Sequence, residues 1–308
     1  MKSILIIQPW ISYRGAESVS IEEAKNCEKH GVKASILCGR VDWKRIKKDD
    51  RNVNYIVSPL IFFRLLRIGR KYDVINPHNF PTLWMAAVAN IFLKKKIIWR
   101  VHNFPQVWFK NRIVNRIWEK ISFPIDNWAA HRVDEILVVS EKVKKQVKNL
   151  YNLESRVIYP VIDQKFFGRK RNVIRDSNLI LIPAKITAAK SFDLAIQVIE
   201  KVNKVRPRTK WVIAGEGTLK HVPENVKVLG WQSKEKMAGW YQKASLIFLP
   251  GYWGEGFNIA VLEGLAGGTS SLVVEGSGVD TYLKKNKYGI VCKPDADKIA
   301  AEIVKLFS

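Results

Sequence analysis

Two kinds of hydrophobic pattern take turns along most of this chain. Short runs such as Ile4-Leu5-Ile6-Ile7, Leu179-Ile180-Leu181-Ile182 and Leu246-Ile247-Phe248-Leu249 are apolar at every position. Runs of this length and composition read as strands buried on both faces of a parallel sheet. The longer stretches between them repeat their apolar residues every three to four positions, which reads as amphipathic helix. In the first half the pattern predicts strands at 4–8, 33–37, 73–76, 97–101 and 135–139, with one helix running from the turn at 14–17 through 29 and others near 60–71, 82–93, 107–122 and 141–150. The second half restarts it, with strands at 179–182, 210–214, 227–229, 246–249 and 271–274 and helices at 192–204, 234–244, 259–266 and 296–307. Strands alternating with helices of this length imply β-α-β units and parallel sheets. The stretch 164–178 is rich in Arg, Lys and Asn and reads as a linker. The fold class expected is therefore α/β with two Rossmann-like domains, whose ligands bind beyond the carboxyl ends of the strands.

Composition narrows the class. No apolar run approaches the roughly 18 residues of a membrane span, and 83–93 ends abruptly at Lys94-Lys95-Lys96. The opening Met1–Ile11 has a basic and apolar start but no small-residue cleavage site, so it reads as a first buried strand rather than a leader. Cys27, Cys38 and Cys292 form no C-x-x-C pair, which excludes a disulfide framework or zinc ribbon and fits a reducing, cytoplasmic compartment. The five histidines lack metal-ligand spacing, so no metal site is expected. The net charge is +24; residues 1–165 carry 30 basic against 15 acidic side chains, and the remainder 22 against 13. Such a surface favours polyanions, whether nucleic acid, anionic lipid or a phosphorylated small molecule.

The most specific motif is Gly254-Glu255-Gly256-Phe257-Asn258-Ile259-Ala260-Val261-Leu262-Glu263. Two glutamates stand eight positions apart, one before a helix and one about a turn inside it. The glycines let backbone approach a ligand, and Asn258 suits an N-cap. The amides around Phe257 and Ile259 would then hold a diphosphate, with Glu263 reaching ribose hydroxyls and Glu255 the sugar. The competing reading is a Gly-rich turn before a helix with one solvent-facing glutamate. Gly215-Glu216-Gly217 resembles the start of a dinucleotide fingerprint, but Lys220 stands where the third glycine belongs and no acid ends the next strand, so a nicotinamide cofactor is not expected.

The Glu255–Glu263 segment resembles the E-x7-E motif of retaining GT-B glycosyltransferases of family four, also called glycosyl transferases group one. Further segments agree in order along nearly the whole chain: Arg14-Gly15-Ala16-Glu17, Asp73-Val74-Ile75-Asn76-Pro77-His78, Val157-Ile158-Tyr159-Pro160-Val161-Ile162-Asp163 with Phe166, Ala184-Lys185 with Lys190, and Ile213-Ala214-Gly215-Glu216-Gly217. The resemblance implies a GT-B fold with two parallel sheets facing across a cleft. It assigns an acceptor-side domain to 1–165 and a nucleotide-sugar-binding domain to 166–308. It also implies a retaining, metal-independent hexosyl transfer from a nucleotide-diphosphate sugar to a glycan, lipid or other acceptor, with no cofactor.

Residue roles follow from the same resemblance. Lys185 and Lys190 would neutralise the leaving diphosphate; lysine at 185, where the family has arginine, keeps the charge but loses the fork geometry. Gly215 and Glu216 would meet the nucleotide base. His78-Asn79-Phe80-Pro81 and His102-Asn103-Phe104-Pro105 repeat one tetrapeptide at two strand ends. His102 matches the family histidine beside the donor sugar, and His78 would shape the acceptor side. Gly15 belongs to the loop that approaches diphosphate and acceptor. Arg14 replaces that loop's first glycine and either fills the space or adds a phosphate contact. Ser270 replaces a proline. Family members extend past the position of Ser308 with helices that return to the first domain; an end at Ser308 would loosen hinging or leave the clasp to another chain.

Two rivals come from other classes. A nucleic-acid-binding protein is favoured by charge alone, without a stacking-aromatic or helix-turn-helix signature, so nucleic acid is not the expected partner. A catalytically silent carbohydrate-binding or nucleotide-binding relative is compatible with the altered Arg14 loop. A softer expectation concerns membranes. Between 108 and 121 the apolar positions 113, 114, 117, 118 and 121 share a face, with Arg112, Arg116 and Lys120 on another, and Arg64, Arg67 and Lys71 follow an apolar run at 60–63. Such a helix either packs on the core with a solvated face or lies in an anionic lipid interface as a peripheral contact on the inner membrane face.

Overall fold

The computed structural model describes residues 1–12, 15–104, 112–168, 170, 172–219, 221–252 and 255–307, with the side chains of 112–115 and 189 left undescribed. Two compact units divide between Val161 and Ile162, a few residues before the boundary expected from sequence.

The first unit runs β1 (Ser3–Gln8), α1 (Gly15–Lys29), β2 (Lys33–Cys38), β3 (Tyr55–Val57), α2 (Ile61–Ile68), β4 (Val74–Pro77), α3 (Thr82–Leu93), β5 (Lys96–Val101), α4 (Arg112–Ala130), β6 (Glu135–Val138), α5 (Glu141–Tyr151) and β7 (Arg156–Val157). Its sheet is parallel, in the order β3-β2-β1-β4-β5-β6-β7. The continuous apolar run in β1 is explained by its two neighbours and two covered faces. Ile4 and Ile6 enter one core with Ile21 and Ala24 of α1, while Leu5 and Ile7 enter the opposite core with Leu65 of α2 and Ala86 of α3. Each such aliphatic side chain contributes about 1.5–3 kcal/mol when fully buried.

The second unit runs α6 (Gln164–Phe167), β8 (Leu179–Ile182), α7 (Phe192–Val205), β9 (Lys210–Ile213), β10 (Val226–Val228), α8 (Lys234–Lys243), β11 (Leu246–Leu249), α9 (Ala260–Ala266), β12 (Ser270–Val274), α10 (Asp280–Asn286), β13 (Gly289–Cys292) and α11 (Ala296–Leu306). These strands form a second parallel sheet, β10-β9-β8-β11-β12-β13. Again alternate residues of one strand serve opposite cores: Ile180 and Ile182 face α7 and α11, and Leu179 and Leu181 face Ala238 of α8 and Val261 of α9. Three helices of the two units start where a side chain satisfies their first amides. Ser140 accepts from Val143 N, Ser233 from Lys236 N, and Asp295 from Asp297 N and Lys298 N.

The stretch expected to be a linker belongs to the second unit. Asp163 caps α6 by accepting from Phe166 N, and Phe167 is fully buried in that unit's core. Arg175 donates to the Gly268 carbonyl at 2.6 Å, and Asp176 N donates to the Lys243 carbonyl at 2.9 Å. Average polarity hid this one buried aromatic anchor, Phe167. The three cysteines are unpaired, as expected.

Candidate active site

Four loops of the second unit leave the carboxyl ends of the neighbouring strands β9, β8, β11 and β12 and meet one another. After β8 the chain forms a short 3-10 turn, Ala188–Lys190, and Ser191 takes a left-handed conformation (φ 53°) to enter α7. The loop after β9 presses against it: Ile186 N donates to the Glu216 carbonyl at 2.8 Å. A Cβ on Gly215 would stand 2.0 Å from the Ala184 carbonyl oxygen, so glycine is demanded there by backbone contact. Gly217 has φ +128° and also a close backbone neighbour, the Ile186 carbonyl oxygen at 2.5 Å from a would-be Cβ. The loop after β11 carries Glu255, whose Oε1 pairs with Lys190 Nζ, and Gly251 lies beside both residues, its would-be Cβ 3.5 Å from the Lys190 Cα. The loop after β12 closes the set, since a Cβ on Gly278 would meet the Gly256 carbonyl at 2.2 Å.

This contact makes one prediction. Gly215→Ala must push two loops apart, and overpacking of this kind costs about 1–3 kcal/mol. A lowered melting temperature of the second unit, read by calorimetry, is the expected result; an unchanged transition would show that the loops part freely.

Glu255 and Glu263 occupy different environments. Glu255 precedes α9 and is nearly buried beside Lys190. Glu263 lies in the first turn of α9, is also buried, and accepts the Tyr241 hydroxyl of α8 at 2.7 Å. Burial and then the Glu263 charge hold the Tyr241 phenol well above its ordinary pKa, so the hydroxyl stays a donor. Asn258 does act at the helix start, accepting from Ala260 N at 3.2 Å, although Ile259 is the last residue outside the helix. Phe257 packs edge-on against Tyr282, ring centres 5.8 Å apart. Lys185 is exposed.

In the first unit the two repeated histidines touch. His102 Nε2 lies 2.9 Å from His78 Nδ1, and His78 Nε2 lies 2.8 Å from Asn76 Oδ1. The Asn76 amide nitrogen donates to the Ile98 carbonyl at 2.5 Å, which turns its oxygen toward His78. The order of protons follows. His78 Nε2 donates to Asn76, its bare Nδ1 accepts from His102 Nε2, and His102 is left with Nδ1 as an acceptor. Both rings are buried. Arg100, itself buried, pairs with Glu23 Oε1 at 2.8 Å, and Glu23 Oε2 approaches His78 Nε2 at 3.4 Å. Desolvation raises the Glu23 carboxyl's pKa against the pull of Arg100. Desolvation, then the charge of Arg100, lowers the His102 pKa to about 3; His78 is lowered well below 6.5 by burial first, then by His102 and Arg100.

Stability should therefore depend on acidity. In the unfolded chain these rings bind protons near pH 6.5, whereas folded His102 resists protonation until about pH 3. Between those values the unfolded state holds more protons, so stability rises with pH and is lost on acidification. Each ring can contribute up to about 1.4 kcal/mol per pH unit in that window. Urea titrations at several pH values should show a steeper acid loss for the native protein than for His102→Gln; parallel curves would contradict the assignment.

The sequence profile of Glycosyltransferase Family 4 matches residues 13–166, and that of Glycosyl transferases group 1 matches residues 163–308. The chain belongs to glycosyltransferase family 4. A search of curated protein sequences finds no match. Among solved structures, the Anabaena protein HepE in complex with UDP and glucose is similar with a TM-score of 0.81 at 12% identity, covering 99% of this chain and 89% of that one. Sucrose-phosphate synthase from Thermosynechococcus elongatus is similar at 0.77 and 14%, covering 99% and 90%. A glycosyltransferase from Rickettsia africae gives 0.69 and 16%, covering 99% and 88%. At these identities the likeness is one of fold, and with the two parallel sheets it supports the GT-B architecture.

Within this family 4 glycosyltransferase the structure gathers Lys190, Gly215, Glu216, Glu255 and Gly256 through the contacts above, with Lys185, Phe257, Asn258 and Ile259 in the same loops. Glu263 has a protein partner rather than a solvent-facing carboxylate. His78 has no exposed surface and touches His102 instead. Gly15 opens α1 in free space, where a Cβ would meet nothing within 4 Å. Arg14 lies outside the described residues. Sequence reasoning missed Tyr241, Asn76, Glu23 and Arg100. A signal existed for two of them, because a polar residue inside an apolar strand, as in Val74-Ile75-Asn76 or Ile98-Trp99-Arg100, needs a buried partner. Among the described residues no group of three or more His, Cys, Asp or Glu side chains is arranged to hold a metal ion.

Proposed function

We propose that this glycosyltransferase moves a sugar from a nucleotide-diphosphate sugar to a glycan or lipid-linked acceptor, with retention of configuration and without a metal ion. The observation that supports this most directly is the ion pair between Lys190 and Glu255. In a nucleotide sugar the last phosphate and the sugar share one oxygen. A cation for the phosphate and a carboxylate for the sugar hydroxyls must therefore be neighbours, and these two are.

On this reading the diphosphate lies along Lys185 and Lys190, whose charge stabilises the leaving group as the glycosidic bond breaks. Glu255 holds sugar hydroxyls. Glu263, kept in place by the Tyr241 hydroxyl, receives the ribose, and the base rests on the Gly215–Glu216 turn. His102 offers an unprotonated Nδ1 to a sugar hydroxyl. The acceptor hydroxyl enters beside Gly15, and the departing phosphate oxygen takes its proton on the face that the nucleotide vacates, which gives retention. The complexes of HepE with UDP, UDP-glucose, and UDP and glucose favour a donor of this class. Unpaired cysteines agree with work in the cytoplasm.

A donor-hydrolysis assay over a panel of nucleotide sugars, with and without a chelator, tests the proposal. One donor class should be cleaved at a rate the chelator leaves unchanged, and proton NMR of the transfer product should show the donor's anomeric configuration. Cleavage of no donor would support a silent relative, and a chelator-sensitive rate would overturn metal independence.

A further inference from the structure

We infer that the outer face of helices α2, α3 and α4 is a docking surface for an anionic lipid bilayer. The connections β3-α2-β4, β4-α3-β5 and β5-α4-β6 all step the same way across the first sheet, so right-handed crossovers put these helices side by side on one face. They pack in that order, α2 on α3 and α3 on α4. Their inward positions supply the core already described. Their outward positions should then be polar, yet several of them carry large apolar side chains.

On α4, Ser122 is buried and Trp118 lies beside Trp84 of α3, ring centres 6.5 Å apart. This seating turns Ile117, Ile121 and Ile125, an i, i+4, i+8 stripe, to the outside, where they are 54%, 57% and 44% exposed. On α3, Ile91 and Phe92 are 57% and 63% exposed, and Phe63 at the start of α2 is 64% exposed. Exposed apolar side chains on three adjacent helices exceed the scattered ones of an ordinary surface and mark a binding face. Packing within the unit does not use them.

Charge selects the occupant. Arg116 and Lys120 precede Ile117 and Ile121 on α4 and are exposed. Arg67 is exposed on α2, and Lys94 follows α3. Neither α2 nor α3 contains an acidic residue, and Glu119 is the one acid in 116–125. An apolar patch with a basic margin matches a surface that offers hydrocarbon beneath anionic headgroups, where each Lys or Arg near the surface adds about 1 kcal/mol. A second copy of this chain would bring like charge to like charge. The expectation that 113–121 forms one uniform face is thereby refined: Trp118 seats the helix, while Ile117 and Ile121 point away. Trp108 and the rest of 105–111 lie outside the described residues.

The inference is independent of the donor reading, and vesicle binding tests it alone. The full chain should co-sediment at low salt with phosphatidylcholine vesicles containing about one-third phosphatidylglycerol and not with pure phosphatidylcholine. The double variant Ile117→Ser, Ile121→Ser should bind those vesicles about tenfold or more weakly, with an unchanged melting temperature and unchanged donor hydrolysis. Arg116→Gln with Lys120→Gln should weaken binding and reduce its salt dependence. Binding of the serine double variant equal to wild type would show charge attraction without insertion and overturn the inference. So would wild-type protein that ignores anionic vesicles at low salt, or one that sediments as a dimer through this face and leaves the vesicles unbound.

Discussion

Replacing Lys190 with alanine lowers kcat by about 10²–10³, the usual cost of removing one group that stabilises developing charge. The loss is the largest expected from any single substitution here, because Lys190 has two tasks. On the proposed reading it faces the diphosphate, and it holds Glu255 through their ion pair. Lys190→Ala therefore also leaves a nearly buried carboxylate without its cation, beside the place the proposal gives to the phosphate. Glu255→Gln alone should weaken sugar positioning, and the double variant should lose much less than the product of the two single losses, since the groups act as a unit. Initial rates with saturating donor check this. Strictly multiplicative losses would show that Lys190 and Glu255 work at separate places, and wild-type turnover in Lys190→Ala would remove the role altogether.

The second large effect concerns His102. His102→Ala should lower kcat/KM by about 10², the scale on which misplacement of a reacting group is felt. A subtler variant, Asn76→Leu, leaves His102 untouched but removes the oxygen that takes the His78 Nε2 proton. The buried ring nitrogen then loses its short acceptor and keeps only the longer approach of Glu23 Oε2 at 3.4 Å. This costs up to about 1–3 kcal/mol of stability and loosens the proton order along the pair. Nitrogen-15 shifts of the His102 ring read the outcome. Native protein should show the tautomer protonated at Nε2, and Asn76→Leu a mixture with reduced kcat. A single unchanged tautomer in the variant would show that His78 needs no instruction from Asn76.

The central strands and most helices were legible because they depend on local rhythm. In Ile180 and Leu181, or Leu246 and Ile247, neighbouring residues face opposite cores, so an uninterrupted apolar run could only be a central strand. The edge strands β3, β7 and β13 were not legible. They are short, and Tyr55, Ile56 and Val157 are partly exposed, so no strong pattern marks them. The polar stretch 164–178 misled for the opposite reason: Phe167 anchors it alone, and an average over many polar neighbours conceals one buried ring.

The candidate site divides in the same way. Its glycines and glutamates stand close in sequence and announce themselves. Tyr241 reaches Glu263 from another helix, and Glu23 reaches Arg100 from the far side of several elements. Contacts of that kind have no spacing in the chain to betray them. Even the glycines were understood for only part of their reason. Gly215 is small because other backbone passes there, a reason that no ligand argument supplies.

One consequence lies in where the proton order of the histidine pair begins. Its first link is the peptide oxygen of Ile98, a main-chain atom of the fifth strand. Genetic change at position 98 alters a side chain and leaves that oxygen where it is, so Ile98→Val should preserve the basic nitrogen of His102. The polarity of the ring thus starts from the sheet's own pleat, and it will persist in any descendant that keeps the strand together with Asn76, His78 and His102, whatever residue stands at 98.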